Sequence, residues 1–152
     1  MHDVIPTTRG SDRSLLAASL VCFAVAGVTN IAADGIGFTL GATGLAIGGV
    51  YCLARDAQSV TRRTLAWTAL GLWLPFLGVA GSHAIGLETI GSIAPGPTRV
   101  TVAGLTAITW ATLLAAAGTT IFLGFREYGS AAPAEEPDEQ VFDGETTDYP
   151  TR

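Results

Sequence analysis

Four uninterrupted apolar blocks, separated by short polar breaks, organise the chain: residues 14–33 (SLLAASLVCFAVAGVTNIAA), 35–54 (GIGFTLGATGLAIGGVYCLA), 64–86 (TLAWTALGLWLPFLGVAGSHAIG) and 100–125 (VTVAGLTAITWATLLAAAGTTIFLGF). None of the four contains Asp, Glu, Lys or Arg. Each reaches the roughly 20 mainly apolar residues that cross a bilayer core. Backbone polar groups in hydrocarbon have to be satisfied within the segment, so such blocks are helices rather than strands. The pattern predicts an all-α integral membrane protein, an antiparallel four-transmembrane-helix bundle over residues 14–127. A short segment, 1–13, precedes it and a polar tail, 128–152, follows.

The breaks carry the topology. Arg9 and Arg13 precede the first span, Arg55, Arg62 and Arg63 lie between the second and third, and Arg126 follows the fourth; the opposite side has Arg99 alone. This asymmetry predicts that both termini and the central loop face the cytoplasm. One hairpin then turns around Asp34 on the outer side, and a second closes through LETIGSIAPGPTR. Arg9 and Arg13 followed by an apolar stretch and AVA at residues 24–26 also fit a cleaved secretory leader. The apolar run continues past Ala26 to full spanning length, which favours a retained helix.

Charge divides the chain a second time. Residues 1–126 hold seven Arg against five acids, whereas residues 127–152 hold one Arg against eight acids, so the net −5 belongs to the tail. Rich in Pro, Glu and Asp and poor in large apolar side chains, the tail cannot bury enough surface to offset ordering entropy and is expected to be disordered. Lysine is absent throughout. That absence, the Ala/Gly/Thr-rich spans and the acidic run EEPDEQVFDGETTD resemble small membrane proteins of halophilic archaea, a likeness of composition over the whole chain. It implies a salt-adapted cell membrane and transfers no functional residue.

Small residues recur along each span. Gly37, Gly41, Gly44 and Gly48 form one seam, Gly71, Pro75, Gly78 and Ser82 a second, and Ala103, Ala107, Ala111 and Ala115 a third; Ser14, Ala18, Cys22, Ala26 and Asn30 recur every fourth residue of the first span. Helices in lipid associate through close approach at such positions. Four thin faces predict a compact bundle, with self-association through the Gly37–Gly48 seam as the alternative. Pro75 removes the hydrogen bond to the carbonyl of Gly71 and predicts a kink. Cys22 and Cys52 fall at different depths, about 12 Å and about 4–5 Å from the inner helix ends at 1.5 Å per residue, which predicts free thiols. Trp67 suits the inner interface, while Trp73 and Trp110 read as packing residues.

Candidate chemistry is sparse. With His83 the only intramembrane histidine and Met1 the only methionine, neither a bis-histidine haem nor a copper-handling cluster is expected. No phosphate-cradling loop, nucleophile with base and orienting acid, or acid at mid-membrane depth is legible. His83 lies about 28 Å beyond Thr64 along its helix, near the far interface. Asp34, Glu88 and Arg99 share that outer side and Asn30 sits one turn before Asp34, so Asn30, Asp34, His83, Glu88 and Arg99 form the candidate outer polar cluster. The alternatives at this cluster are a cation or proton site and an ordinary polar rim. The expectation is a non-enzymatic structural or accessory component of a membrane complex without cofactor, metal or nucleic acid. Its partners would be the lipid bilayer and other membrane proteins or further copies of itself, and a small oligomeric channel or transporter is the second reading.

Overall fold

The computed structural model describes the backbone over residues 8–32 and 35–131, and side chains over 14–31 and 35–130. The expected tail, the segment 1–7 and Asp34 lie outside the described residues. Five helices appear in order: α1 (Thr8–Ala32), α2 (Ile36–Ser59), α3 (Arg62–Ile85), α4 (Leu87–Ile93) and α5 (Thr98–Ala131). Four of them, all but α4, are long and apolar enough to cross a membrane.

Helix ends run past the apolar blocks, because hydropathy marks burial depth and not hydrogen bonding. Helix α2 continues through Arg55 and Asp56 to Ser59. Helix α3 begins two residues before its apolar block, with Thr61 as N-cap accepting a hydrogen bond from the Thr64 backbone N–H at 3.2 Å. It continues as helix through Pro75. Helix α5 extends to 34 residues, about 51 Å at 1.5 Å per residue, which is longer than the roughly 30 Å thickness of a bilayer core.

The LETIGSIAPGPTR connection between the third and fourth apolar blocks contains α4. Gly86, at φ 99°, ends α3 and turns the chain directly into this short helix, a left-handed conformation that favours glycine. A Cβ on Gly91 would fall 2.7 Å from Thr98 Cγ2, and the Thr98 hydroxyl donates to the Gly91 carbonyl at 3.2 Å. Helix α4 thus rests on the first turn of α5 by a backbone approach that only glycine permits.

The core differs from a convergence of four thin faces. Helix α5 packs on each of the other four helices, α1 packs along α2, and α3 packs mainly on α5 and α4. Phe23, Leu53, Ala111 and Ala115 form the central cluster, with Leu20, Leu114 and Phe122 packed around it.

Three glycines organise this α1/α2/α5 unit, each receiving a large side chain from the next helix. Phe23 of α1 lies over Gly49 of α2, where a Cβ would come within 2.6 Å of Phe23 Cε1. Leu53 of α2 lies over Gly118 of α5, where a Cβ would come within 2.6 Å of Leu53 Cδ2. Trp110 of α5 closes the circuit over Gly27 of α1.

Among the described residues the close approaches therefore fall at Gly27, Gly49, Gly91 and Gly118 and not on the regular seams. At Gly37, Gly41, Gly44, Gly48, Gly71 and Gly78 nothing lies within 4 Å of where a Cβ would stand. Of the alanine stripe, Ala111 and Ala115 are buried, Ala107 is half-buried and Ala103 is exposed. Burial on α1 follows Ser19, Phe23, Ala26 and Gly27, which overlaps the every-fourth-residue series only at Ala26. A small residue makes a notch only where a neighbour supplies a knob, and periodicity along one helix contains no information about the other. Cys22 and Cys52 are both free and half-buried.

Candidate functional site

Helix α3 is tied to α5 by polar contacts at three levels. At one end the Arg62 guanidinium pairs with Glu127 at 3.1 Å and donates to Ser130 Oγ at 3.0 Å. Midway, Trp73 Nε1–H donates to Thr120 Oγ1 at 3.1 Å, with Phe76 edge-on to the indole at 5.5 Å. At the far end His83 Nε2 meets Thr109 Oγ1 at 3.0 Å. Contact positions rise along α3 as they fall along α5, so the two helices run in opposite directions.

The His83 contact fixes a tautomer. Thr109 commits its single hydroxyl hydrogen to the Leu105 carbonyl at 2.8 Å, leaving only lone pairs for the imidazole. His83 therefore carries its proton on Nε2 and donates. An exposed imidazole bonded to a half-buried threonine of the neighbouring helix is an interhelical tie.

Of the remaining candidate residues, the structure brings together only two. Glu88 of α4 and Arg99 of α5 line one cavity of about 390 Å³, whose other walls come from α1 and α5. Asn30 is exposed and opens instead onto a separate space of about 150 Å³ between α1, α2 and α5, beside Gly27, Thr43 and Trp110. The five-residue cluster thus divides into three places, with Asp34 outside the described residues. Among the described residues no three His, Cys, Asp or Glu side chains gather as a metal site.

The opposite end holds polar structure that apolar patterning passed over. Asp56 is buried at 5% exposure, one residue past Arg55, although it stands beyond the apolar block. Arg126 Nη1 donates to the carbonyls of Ala57 at 2.9 Å and Val60 at 2.8 Å, which caps the end of α2 with a cation. Four arginines spaced around two helix ends were the available signal, since exposed carbonyls at a helix C-terminus attract such groups. Pro75 and the flanking Gly71 and Gly78 lie exposed on α3, and Trp67 is exposed near its start.

These features define an all-helical protein with four helices long and apolar enough to cross a membrane; α1, α2 and α5 meet at the central cluster, and α3, hydrogen-bonded to α5, adds buried Leu65 and Ala69 and the partly buried Leu72 to the packing. No protein-family model matches the chain, and neither does any curated protein or solved structure.

Proposed function

We propose that the chain is a four-span integral membrane protein, an antiparallel bundle with both termini in the cytoplasm, that serves as a non-enzymatic structural or accessory component of a membrane complex. The observation that carries this reading is the pair of open small-residue seams. Gly37, Gly41, Gly44 and Gly48 on α2 and Gly71 and Gly78 on α3 are uncovered by the chain's own helices. Close helix approach in lipid uses such surfaces, and here the core is complete without them. The arginine asymmetry supports the orientation, and the opposed α3 and α5 support the antiparallel arrangement.

The test is cysteine crosslinking in native membranes from Gly41→Cys and Gly78→Cys. Adducts to other membrane subunits, lost with Ala103→Cys as a control position, are the expected result. A homo-oligomeric ladder together with specific ion flux from reconstituted liposomes would replace the accessory role with a small oligomeric channel or transporter.

A further inference from the structure

Glu88 and Arg99 line the same cavity yet do not pair with each other. Neither makes a hydrogen bond or ion pair with any other described side chain, since the salt bridge in the described chain is the distant Arg62–Glu127 pair. Both residues are exposed and line the cavity. The rest of the wall is largely apolar, from Val28 and Ile31 of α1 and Val102 and Ala103 of α5. At about 390 Å³ the space falls within the roughly 300–1,000 Å³ of small-molecule sites.

We infer that this cavity binds a zwitterion with an apolar arm: an ammonium group against Glu88, a carboxylate or phosphate against Arg99, and a hydrocarbon arm along Val28, Ile31, Val102 and Ala103. A simple anion would be held by Arg99 and repelled by the neighbouring carboxylate. A simple cation meets the reverse conflict, and an uncharged apolar molecule leaves both charges to be desolvated unpaired. A ligand carrying both charges satisfies both groups at once, and guanidinium is well matched to a two-oxygen anionic group. Thr98 and Thr106 add hydroxyls to the same wall. Two sources share this chemistry, a zwitterionic phospholipid headgroup and a free apolar amino acid. Access for the lipid rests on the membrane reading above; access for the amino acid does not.

The full chain, purified in detergent, is tested with phosphatidylethanolamine, phosphatidylglycerol and free leucine. Native mass spectrometry reads lipid retention and equilibrium dialysis reads leucine. Retention of phosphatidylethanolamine over phosphatidylglycerol, or saturable leucine binding, is the expected result, and which of the two occurs identifies the source. Glu88→Gln and Arg99→Gln should each weaken that binding by about tenfold or more, the scale of one lost charge-assisted contact. Glu88→Gln should also narrow the preference over phosphatidylglycerol. Both side chains are exposed, and unchanged helicity of the variants separates loss of binding from loss of fold. Equal retention of the two lipids without leucine binding, no binding of any probe, or binding indifferent to Glu88→Gln would overturn the assignment. Carbonate extraction reads the membrane assignment by itself, so its failure is distinguishable from failure of the site.

Discussion

Trp110 of α5 lies against the backbone of α1 at Gly27, so closely that a single added methyl group would overlap the indole. The same relation holds for Phe23 on Gly49 and Leu53 on Gly118, and together the three contacts set the spacing of α1, α2 and α5.

Alanine at these glycines should destabilise the protein in a definite order. Gly27→Ala meets the base of the Trp110 side chain, which cannot swing away, and Gly49→Ala meets a Phe23 ring that is 1% exposed. Gly118→Ala meets only the far methyl of Leu53. Overpacking costs about 1–3 kcal/mol, so Gly27→Ala and Gly49→Ala should lie toward the top of that range and Gly118→Ala toward the bottom. Equilibrium unfolding in mixed micelles measures the series.

Alanine on the open seam should behave in the opposite way. Gly41→Ala and Gly44→Ala point into open space within the chain, and replacing helical glycine gains up to about 1 kcal/mol of helix propensity. The isolated protein should therefore be unchanged or stabilised. If the seam meets a partner, the same substitutions should reduce recovery of the complex on co-purification while the isolated chain stays stable.

Arg126 caps α2 through the Ala57 and Val60 carbonyls, and a charged donor there contributes about 1–3 kcal/mol. Arg126→Ala should lower stability within that range. Arg126→Lys should recover only part of it, because one ammonium cannot reproduce the planar donor geometry. Micellar unfolding of the two variants checks both the loss and the partial rescue.

The retention of α1 is a further expectation, tested by intact mass. Cleavage after Ala26 would remove Phe23 from the core and Ser19, Cys22 and Ala26 from their packed positions, and leave Gly27 at a new chain end beneath Trp110. The mature protein should therefore carry residues 1–26. A mass lower by that segment would contradict the five-helix arrangement.

The four long helices were legible in the sequence because a helix long and apolar enough to cross a membrane announces itself by length and lack of charge. Their ends were not, since Arg55, Asp56 and Arg62 are helical although polar. Helix α4 was missed because seven residues with Gly91 among them show no period, and the contact that seats it on Thr98 lies outside its own sequence. Depth counting speaks of a shared side and not of contact: Glu88 and Arg99 line one cavity, whereas Asn30 borders another and His83 bonds to Thr109. The packing glycines were hidden for a related reason: Gly27, Gly49 and Gly118 belong to no regular series, and only the facing Trp110, Phe23 and Leu53 distinguish them.

Ser19 leads to the last prediction. Its side chain is fully buried on α1, and its hydroxyl has no hydrogen-bond partner in the described structure. Thr119, also fully buried, returns its hydroxyl to the Ala115 carbonyl at 2.7 Å within its own helix. A buried donor without a partner carries its desolvation penalty uncompensated, about 1–3 kcal/mol, whereas a bonded one does not. Replacing Ser19 by Ala removes the penalty and only one heavy atom of packing. Ser19→Ala should therefore be neutral or stabilising by up to about 1 kcal/mol, because the small void left behind offsets part of the gain. Ser19→Val should destabilise, since its added bulk meets the packed face that holds Phe23. Micellar unfolding of the two variants decides the matter: a marked loss with Ser19→Ala would mean that the hydroxyl is engaged and that this face of α1 binds a polar group.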